Sequence, residues 1–191
     1  MSSSHGGGVI RTVTLRGSVD GARVRVAAAT MAAASPTAKS RLDETLSRHN
    51  HHHSHLPDDI LINVSGVSRP VLARVADYCD RHFPSGAAAA GEFAEFTAPA
   101  GYGFEDPLDR FDAELVGGAD IDTVIDLLRA ATFLRIGNLA DLAAREVAGC
   151  MRGKKVEGIR KVFGIVNDYS KEEEEEVRKE NSWAFDAYSG S

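Results

Sequence analysis

The side chains best suited to chemistry are five histidines that lie close together between His49 and His55. Imidazole nitrogens bind Zn²⁺, Cu²⁺ and Ni²⁺, so this segment is a candidate metal site. A structural zinc site needs a fixed tetrahedral set of ligands, usually with spaced cysteines, and the sequence supplies no second ligand pair of that kind. We therefore interpret the segment as an incidental polar loop, with no metal or cofactor, and keep metal binding as an alternative.

A second cluster of reactive side chains is the glutamate run from Glu172 to Glu176. Ser170 and Glu173 have the S-x-x-E spacing of a capping box, which places these carboxylates in the first turns of a helix. Negative charge at that end is favoured by the helix dipole, so the run has a structural explanation. Since the chain also shows no nucleophile elbow and no glycine-rich phosphate loop, we predict that it is not an enzyme.

Charge and cysteine content narrow the classes of partner. The net charge of −6 argues against a nucleic-acid ligand, which requires clustered lysines and arginines. Cys79 and Cys150 fall at apolar helix positions and are interpreted as core residues in a reducing compartment. No signal peptide is visible, and no apolar run is long enough to span a bilayer, so no membrane contact is expected. The expected location is the nucleus and cytoplasm.

The elements that must position any site form a mixed α+β pattern. Residues 9–15 and 23–26 are rich in β-branched residues and flank the turn signal Asp20-Gly21, which predicts a hairpin. Ser35-Pro36 is a typical helix start, and 59–64 is predicted to be a short strand. Further helices are predicted from Pro70, over 121–134, and after Asn138 as a cap.

The C-terminal stretch predicts two short helices with apolar residues and no obvious core. Ile159 and Phe163 recur at helical spacing, and Gly164 follows where a left-handed residue ends a helix. The second helix begins after Ser170 and is followed by Trp183 and Phe185 near the end of the sequence. A chain end usually frays unless something holds it, so either a core or a partner is expected to cover these aromatic rings.

Several short blocks in order resemble the S-phase-kinase-associated adaptor family, which links F-box proteins to a cullin in SCF-type ubiquitin ligases. The blocks are VLARVADYC in the middle of the chain, FDAEL at Phe111–Leu115, IRKVFGI, NDYSKEEEEEVRKEN and the closing W-A-F. Phe111 stands where the family has Trp. The resemblance runs from about Val9 to Phe185, and it implies a BTB/POZ domain followed by a helical extension that binds F-box proteins.

The implied boundaries are 9–153 for the BTB/POZ-like cullin-binding domain and 154–188 for the F-box-binding extension. Variable loops are expected near 47–58 and 85–107. The second loop is rich in Ala and Gly, and a long loop inside a domain is usually functional or disordered.

The resemblance also implies two surfaces. Thr132 and Phe133 stand where the family usually has an Asn-Tyr pair that contacts the cullin N-terminal domain, so cullin binding is expected to be weakened. Val156-Glu157-Gly158 replaces the usual Pro-Glu-Glu helix start. The residues expected to bind F-box proteins are Leu142, Val147, Ile159, Phe163, Ile165, Val177, Asn181, Trp183 and Phe185.

Three functions follow from these patterns. The first is a non-catalytic adaptor that bridges F-box substrate receptors and a cullin. The second is a diverged paralogue that holds F-box proteins and engages cullin weakly, and the third is a metal-binding protein that uses the histidine segment.

Overall fold

The computed structural model describes residues 10–52, 56–85 and 106–183, with the backbone alone at 50–52. The chain divides into two compact units, Met1–Cys150 and Met151–Ser191. We call them the N-terminal unit and the C-terminal unit and describe each by itself. No helix in the described ranges is long and apolar enough to cross a membrane.

A three-stranded sheet forms one side of the N-terminal unit. Its strands are β1 (Thr12–Gly17), β2 (Arg23–Ala27) and β3 (Asp59–Val64), in the order β2-β1-β3. β1 and β2 form the predicted antiparallel hairpin, in which Asp20 accepts a hydrogen bond from the Ala22 N–H and Gly21 takes a positive φ. β3 lies parallel to β1, so the chain between β2 and β3 must cross over.

Helices form that crossover connection, and further helices follow β3. They are α1 (Ala28–Ala34), α2 (Pro36–His52), α3 (Arg69–His82), α4 (Pro107–Val116), α5 (Ile121–Leu134), α6 (Gly137–Met151), α7 (Val156–Val162) and α8 (Lys171–Glu180). A small sheet with helices confirms the predicted α+β class.

One apolar core occupies the space between the sheet and helices α1, α3 and α5. β1 contributes Val13 and Leu15, α3 contributes Leu72 and Val75, and α5 contributes Leu134. These side chains recur every second residue in the strand and every third or fourth in the helices, so one face of each element is buried. Because the core buries one face of α5, the opposite face of this helix remains exposed to solvent.

A fully buried serine joins two helix ends of this unit. The Ser35 hydroxyl accepts a hydrogen bond from the Ala38 N–H at 3.1 Å, as predicted for the N-cap of α2. The same hydroxyl donates to the carbonyl oxygen of Leu134 at 2.5 Å, at the end of α5. The second bond joins residues far apart in sequence, and nothing in the local pattern indicates it.

Two sequence predictions are wrong. α2 continues through His52, so the first histidines of the predicted polar loop are helical; no Gly or Pro interrupts the segment before Pro57. α6 begins at Gly137, so Asn138 lies in the first turn and is not the cap. Of the predicted variable loops, 53–55 and 86–105 lie outside the described residues, and Pro107 already belongs to α4.

Helix α5 ends on an unusual residue for its conformation. Arg135 has φ +59°, and the Ile136 N–H bonds back to the Ala131 carbonyl, which together form the six-residue closure that glycine usually provides. Ile136 is buried, so the turn directs it into the core. A non-glycine residue in this left-handed region costs about 1–2 kcal/mol.

We expect Arg135→Gly to stabilise the N-terminal unit by about 0.5–1 kcal/mol, because removing the Cβ relieves the strain at a position that already has positive φ. Thermal unfolding should show a melting temperature raised by about 1–3 °C. Arg135→Ala is the control, since it removes the same charge and keeps the Cβ. An equal rise in both variants would show that charge, and not backbone strain, is responsible.

Candidate functional site

The predicted cullin-binding pair lies on the outer face of α5, in its last turn. Ala131 and Leu134 of this turn face the core, which leaves Thr132 and Phe133 exposed. Phe133 is 46% exposed, and its backbone carbonyl oxygen accepts a hydrogen bond from the Thr37 hydroxyl at 3.1 Å. The ring is therefore presented to solvent on a backbone that α2 also holds in place.

The hydroxyl of Thr132 is already committed within its own helix. It donates its proton to the Leu128 carbonyl at 2.8 Å. Its oxygen can still accept a bond, but no proton remains to donate to a partner. The pair Thr132 and Phe133 thus offers one acceptor and one apolar ring, where an amide followed by a phenol would also offer donors.

Polar and aromatic side chains join α4 to α3. The rings of Tyr78 and His82 stack at 4.1 Å, and His82 Nε2 lies 2.7 Å from an Asp112 carboxylate oxygen. Burial, and then the charge of Asp112, raise the pKa of Tyr78 to about 12, so its phenol stays neutral. Phe111, which stands in place of the family's Trp, is half-buried. The Arg81 guanidinium carbon lies over its ring, 5.9 Å from the ring centroid.

The two cysteines differ in burial. Cys79 is fully buried in α3, and burial raises the pKa of its thiol to about 12. A protonated, enclosed thiol is a core residue and a poor nucleophile, as predicted. Cys150 is only half-buried, so its assignment to the core was too strong.

The C-terminal unit is held together by caps and ion pairs. Neither α7 nor α8 contains a fully buried residue. Gly164 has φ +63° and the Ile165 N–H bonds to the Arg160 carbonyl, which ends α7 as predicted. The capping box of Ser170 and Glu173 is present in both directions.

That capping box also sets a pH dependence. The Ser170 backbone N–H donates to the Glu173 carboxylate and lowers the pKa of Glu173 below its ordinary value of 4.5. A depressed pKa in the folded state means that the carboxylate stabilises α8 above that ordinary value. The contribution is lost as the pH falls through the lowered pKa.

Glu174 connects the two helices of this unit. Its carboxylate lies 3.6 Å from the Arg160 guanidinium of α7 and 3.6 Å from that of Arg178, and it accepts a hydrogen bond from the Asn167 amide. Arg178 also reaches Glu157 of α7 at 3.6 Å. The sequence analysis assigned the glutamates to the helix dipole alone; the i,i+4 spacing of Glu174 and Arg178 was the available signal for a further role.

Most of the predicted F-box-binding side chains lie in the C-terminal unit, and several are open to solvent. Trp183 is 75% exposed and Ile165 is 55% exposed. Val177 is also exposed. Ile159, Phe163 and Asn181 are half-buried.

Three predicted residues differ in their placement. Leu142 and Val147 lie on α6 of the N-terminal unit, where they are half-buried and packed against its core. Phe185 lies outside the described residues. A partner could reach only part of the side chains of Leu142 and Val147.

The sequence analysis missed four exposed apolar residues of this unit, Met151, Val156, Val166 and Tyr169. Val166 is 82% exposed, and the ring of Tyr169 is also exposed. Both lie in the connection between α7 and α8, where helical periodicity gives no signal. We call the exposed apolar side chains from α7 to the end of the described chain the C-terminal apolar surface: Val156, Ile165, Val166, Tyr169, Val177 and Trp183.

Metal binding by the histidine segment gains no support. In the described ranges, no group of three or more His, Cys, Asp or Glu side chains is placed to hold a metal ion. The side chains of 51–55 are not among the described ones, and the metal alternative stays a prediction.

Comparison with known proteins agrees with this architecture. Residues 138–184 match the Skp1 family, dimerisation domain. SKP1-like protein 20 of Oryza sativa subsp. japonica is 44% identical over 133 residues, which are 67% of this chain and 75% of that protein. SKP1-like proteins 4 and 1A of Arabidopsis thaliana are 44% and 41% identical, over 66% and 68% of this chain and 72% and 79% of theirs.

The fold and its exposed surfaces define a BTB/POZ-type protein that works through binding other proteins. The chain belongs to the Skp1 family. This membership confirms the predicted function of an adaptor in an SCF-type ubiquitin ligase, with F-box proteins and cullin as the partners that the family implies.

Glu174→Gln should loosen the C-terminal unit, because it removes the charge that Arg160 and Arg178 share. Both ion pairs are partly exposed, so we expect a loss of about 0.5–1 kcal/mol in local stability. Hydrogen exchange of the α7 and α8 amides measures it. Glu175→Gln is the matched control, and high salt should weaken the protection in the wild type more than in the Glu174 variant. Equal exchange in the two variants would remove the role assigned to Glu174.

Proposed function

We propose that the C-terminal apolar surface receives the F-box helices, and that Thr132 and Phe133 form part of the surface for cullin. The observation that supports the first assignment is the absence of any fully buried residue in α7 and α8 beside a set of exposed apolar side chains. Exposed apolar patches of this kind usually mark a protein-binding site.

Helix energetics support the same assignment. α7 and α8 are each shorter than the length at which isolated helices are stable in water. Their caps and ion pairs contribute a few tenths to about 1 kcal/mol each, which does not replace a core. Burial of Trp183 and its apolar neighbours by a partner would supply the missing hydrophobic stabilisation.

The proposed mechanism is recognition without catalysis. Holding a substrate receptor on one unit and a cullin on the other raises the effective concentration of substrate at the ligase. No chemical step is assigned to any residue of this chain. We propose that it acts in the nucleus and cytoplasm, and that it has no nucleic-acid partner because its net charge is −6.

One contact favours the diverged paralogue, which engages cullin weakly, over an adaptor that binds cullin with full affinity. Because the Thr132 proton is donated to Leu128, this position offers cullin no donor, and Phe133 offers no hydroxyl. A missing hydrogen bond costs about 1 kcal/mol, and more when it leaves a buried partner group unpaired. We propose that the chain binds F-box proteins fully and cullin with reduced affinity.

Trp183→Ala should weaken binding of an F-box protein by about 2 kcal/mol or more, since exposed aromatic side chains that become buried dominate interface energies. Isothermal titration calorimetry with a purified F-box domain measures the loss. The melting temperature should stay unchanged, because Trp183 is mostly exposed in the free chain.

Val19→Ala is the control for this experiment, since Val19 is an exposed apolar side chain of the N-terminal unit. Full F-box affinity in the Trp183 variant would remove Trp183 from the interface. A large drop in its melting temperature would instead make it a structural residue.

Thr132→Asn combined with Phe133→Tyr should tighten cullin binding, because the double change restores amide and phenol donors on the outer face of α5. Two recovered hydrogen bonds at about 1 kcal/mol each correspond to roughly 10- to 30-fold in the dissociation constant. A titration with a cullin N-terminal domain, with and without an F-box protein bound, measures the change.

The single variants are the controls, and each should tighten cullin binding less than the pair does. F-box affinity should not change in any of them. A dissociation constant that the double variant leaves unchanged would sink the assignment of Thr132 and Phe133 to the cullin surface.

A further inference from the structure

The outer face of the sheet carries three exposed arginines that none of the proposed binding surfaces uses. Along β1 the side chains of Val13 and Leu15 point to the core, so Arg16 lies on the opposite face. Along β2, Val26 is buried, and Arg23 and Arg25 alternate with the inward residues. All three arginines therefore share the solvent side of one sheet, and we call them the arginine face.

The strand register places two of these like charges directly opposite each other. Arg16 pairs with Arg23, and Thr14 pairs with Arg25. The neighbouring pair is hydrogen-bonded through the Gly17 N–H and the Ala22 carbonyl, so the Arg16–Arg23 pair is of the non-hydrogen-bonded kind, in which side chains lie closest. Like charges in that position are destabilising.

Carboxylates near the arginine face are engaged elsewhere. On β3, Asp59 accepts hydrogen bonds from the hydroxyls of Thr12 and Thr14. At the hairpin, Asp20 accepts hydrogen bonds from the backbone N–H groups of Arg69 and Ala22, which hold the pKa of Asp20 below its ordinary value. Within the described ranges, no ion pair to Arg16, Arg23 or Arg25 is formed.

The backbone of β2 adds a second, independent feature. Within the part of the chain that the structure describes, β2 is an edge strand, since the sheet order is β2-β1-β3. Val24 and Val26 belong to the hydrogen-bonded pairs with β1, so the N–H and C=O groups of Arg23 and Arg25 point away from β1. The residues that carry the positive side chains thus also present the backbone donors and acceptors of the open edge.

Protection against aggregation is the competing explanation. Charged side chains on an edge strand prevent sheets from pairing edge to edge, and this accounts for Arg23 and Arg25. It does not account for Arg16, which lies on the central strand opposite Arg23. A third arginine there raises the electrostatic cost without protecting the edge.

We propose that the arginine face and the β2 edge bind an extended acidic segment of a partner protein, which adds to the sheet as a strand beside β2. Residues two apart in an added strand lie on one face about 6.6–6.8 Å apart. Carboxylates at alternate positions of the segment then lie over Arg23 and Arg25, within reach of Arg16, and relieve the like-charge pair. Backbone hydrogen bonds contribute affinity and the alternating charge contributes specificity.

Fluorescence polarisation with labelled peptides tests the proposal on the full chain. One peptide alternates Glu with Val, a second has the same composition with its glutamates in one block, and a third is the alternating peptide with N-methylated backbone at every second residue. The variant Arg16→Gln/Arg23→Gln/Arg25→Gln removes the arginine face. The matched control is Arg135→Gln/Arg145→Gln/Arg152→Gln, which removes three exposed arginines elsewhere.

We expect the alternating peptide to bind the wild type and the control variant, and to bind the arginine-face variant at least about tenfold more weakly. The blocked-charge and N-methylated peptides should bind weakly to all three proteins. High salt should reduce the preferred binding, since exposed charges are screened. Amide shifts in NMR spectra should be concentrated at β2.

Any one of several results would overturn the proposal. They are equal binding of the alternating and blocked peptides, retained binding in the arginine-face variant, equal binding of the N-methylated peptide, and a preference for anionic vesicles or RNA over any peptide. Self-association of the arginine-face variant, with no peptide binding by the wild type, would assign these residues to edge protection alone. The melting temperature of the variant should be equal to or above that of the wild type, which shows that it is folded.

Discussion

The hydroxyl of Ser35 makes two hydrogen bonds in a place without solvent, and much of the N-terminal unit depends on them. It caps α2 through the Ala38 N–H and satisfies the Leu134 carbonyl at the end of α5. A helix ending inside a core leaves carbonyl groups that cost about 1–3 kcal/mol each when unpaired. With that carbonyl satisfied, the chain can turn at Arg135, and the exposed Phe133 is held beside the start of α2.

The two units are stabilised by different interactions. In the described part of the chain, the N-terminal unit has a sheet and six helices that close around one apolar core, so its stability comes mainly from burial. In the C-terminal unit α7 and α8 bury no side chain fully, and caps and the ion pairs of Glu174 contribute stability without replacing a core. The exposed side chains of α5 therefore lie on a packed core, whereas those of α7 and α8 lie on helices without a fully buried residue.

Different surfaces of the molecule carry different chemistry. The last turn of α5 presents an apolar ring and a single acceptor, while the C-terminal apolar surface presents aromatic and aliphatic side chains such as Trp183 and Val166. The open face of the sheet presents positive charge on a chain whose net charge is negative. Apolar burial and charge complementarity favour different ligands, so these surfaces differ in the ligand chemistry that suits each of them.

Features that depend on neighbouring residues were readable from the sequence. The Asp20-Gly21 turn, the Ser35 cap, the stop at Gly164 and the capping box of Ser170 all rest on hydrogen bonds within a few positions, and each is present. The family followed from short blocks in order. Other features join residues that belong to separate elements, among them the Ser35–Leu134 bond and the link from Glu174 to α7. Sequence periodicity did not locate the end of α2, which continues through His52 because no Gly or Pro interrupts it. It also gave no signal at the exposed Val166, because that residue lies between two helices. Burial and pairing between elements arise only when the elements meet, so the Ser35–Leu134 bond and the link from Glu174 to α7 were decided by the tertiary structure.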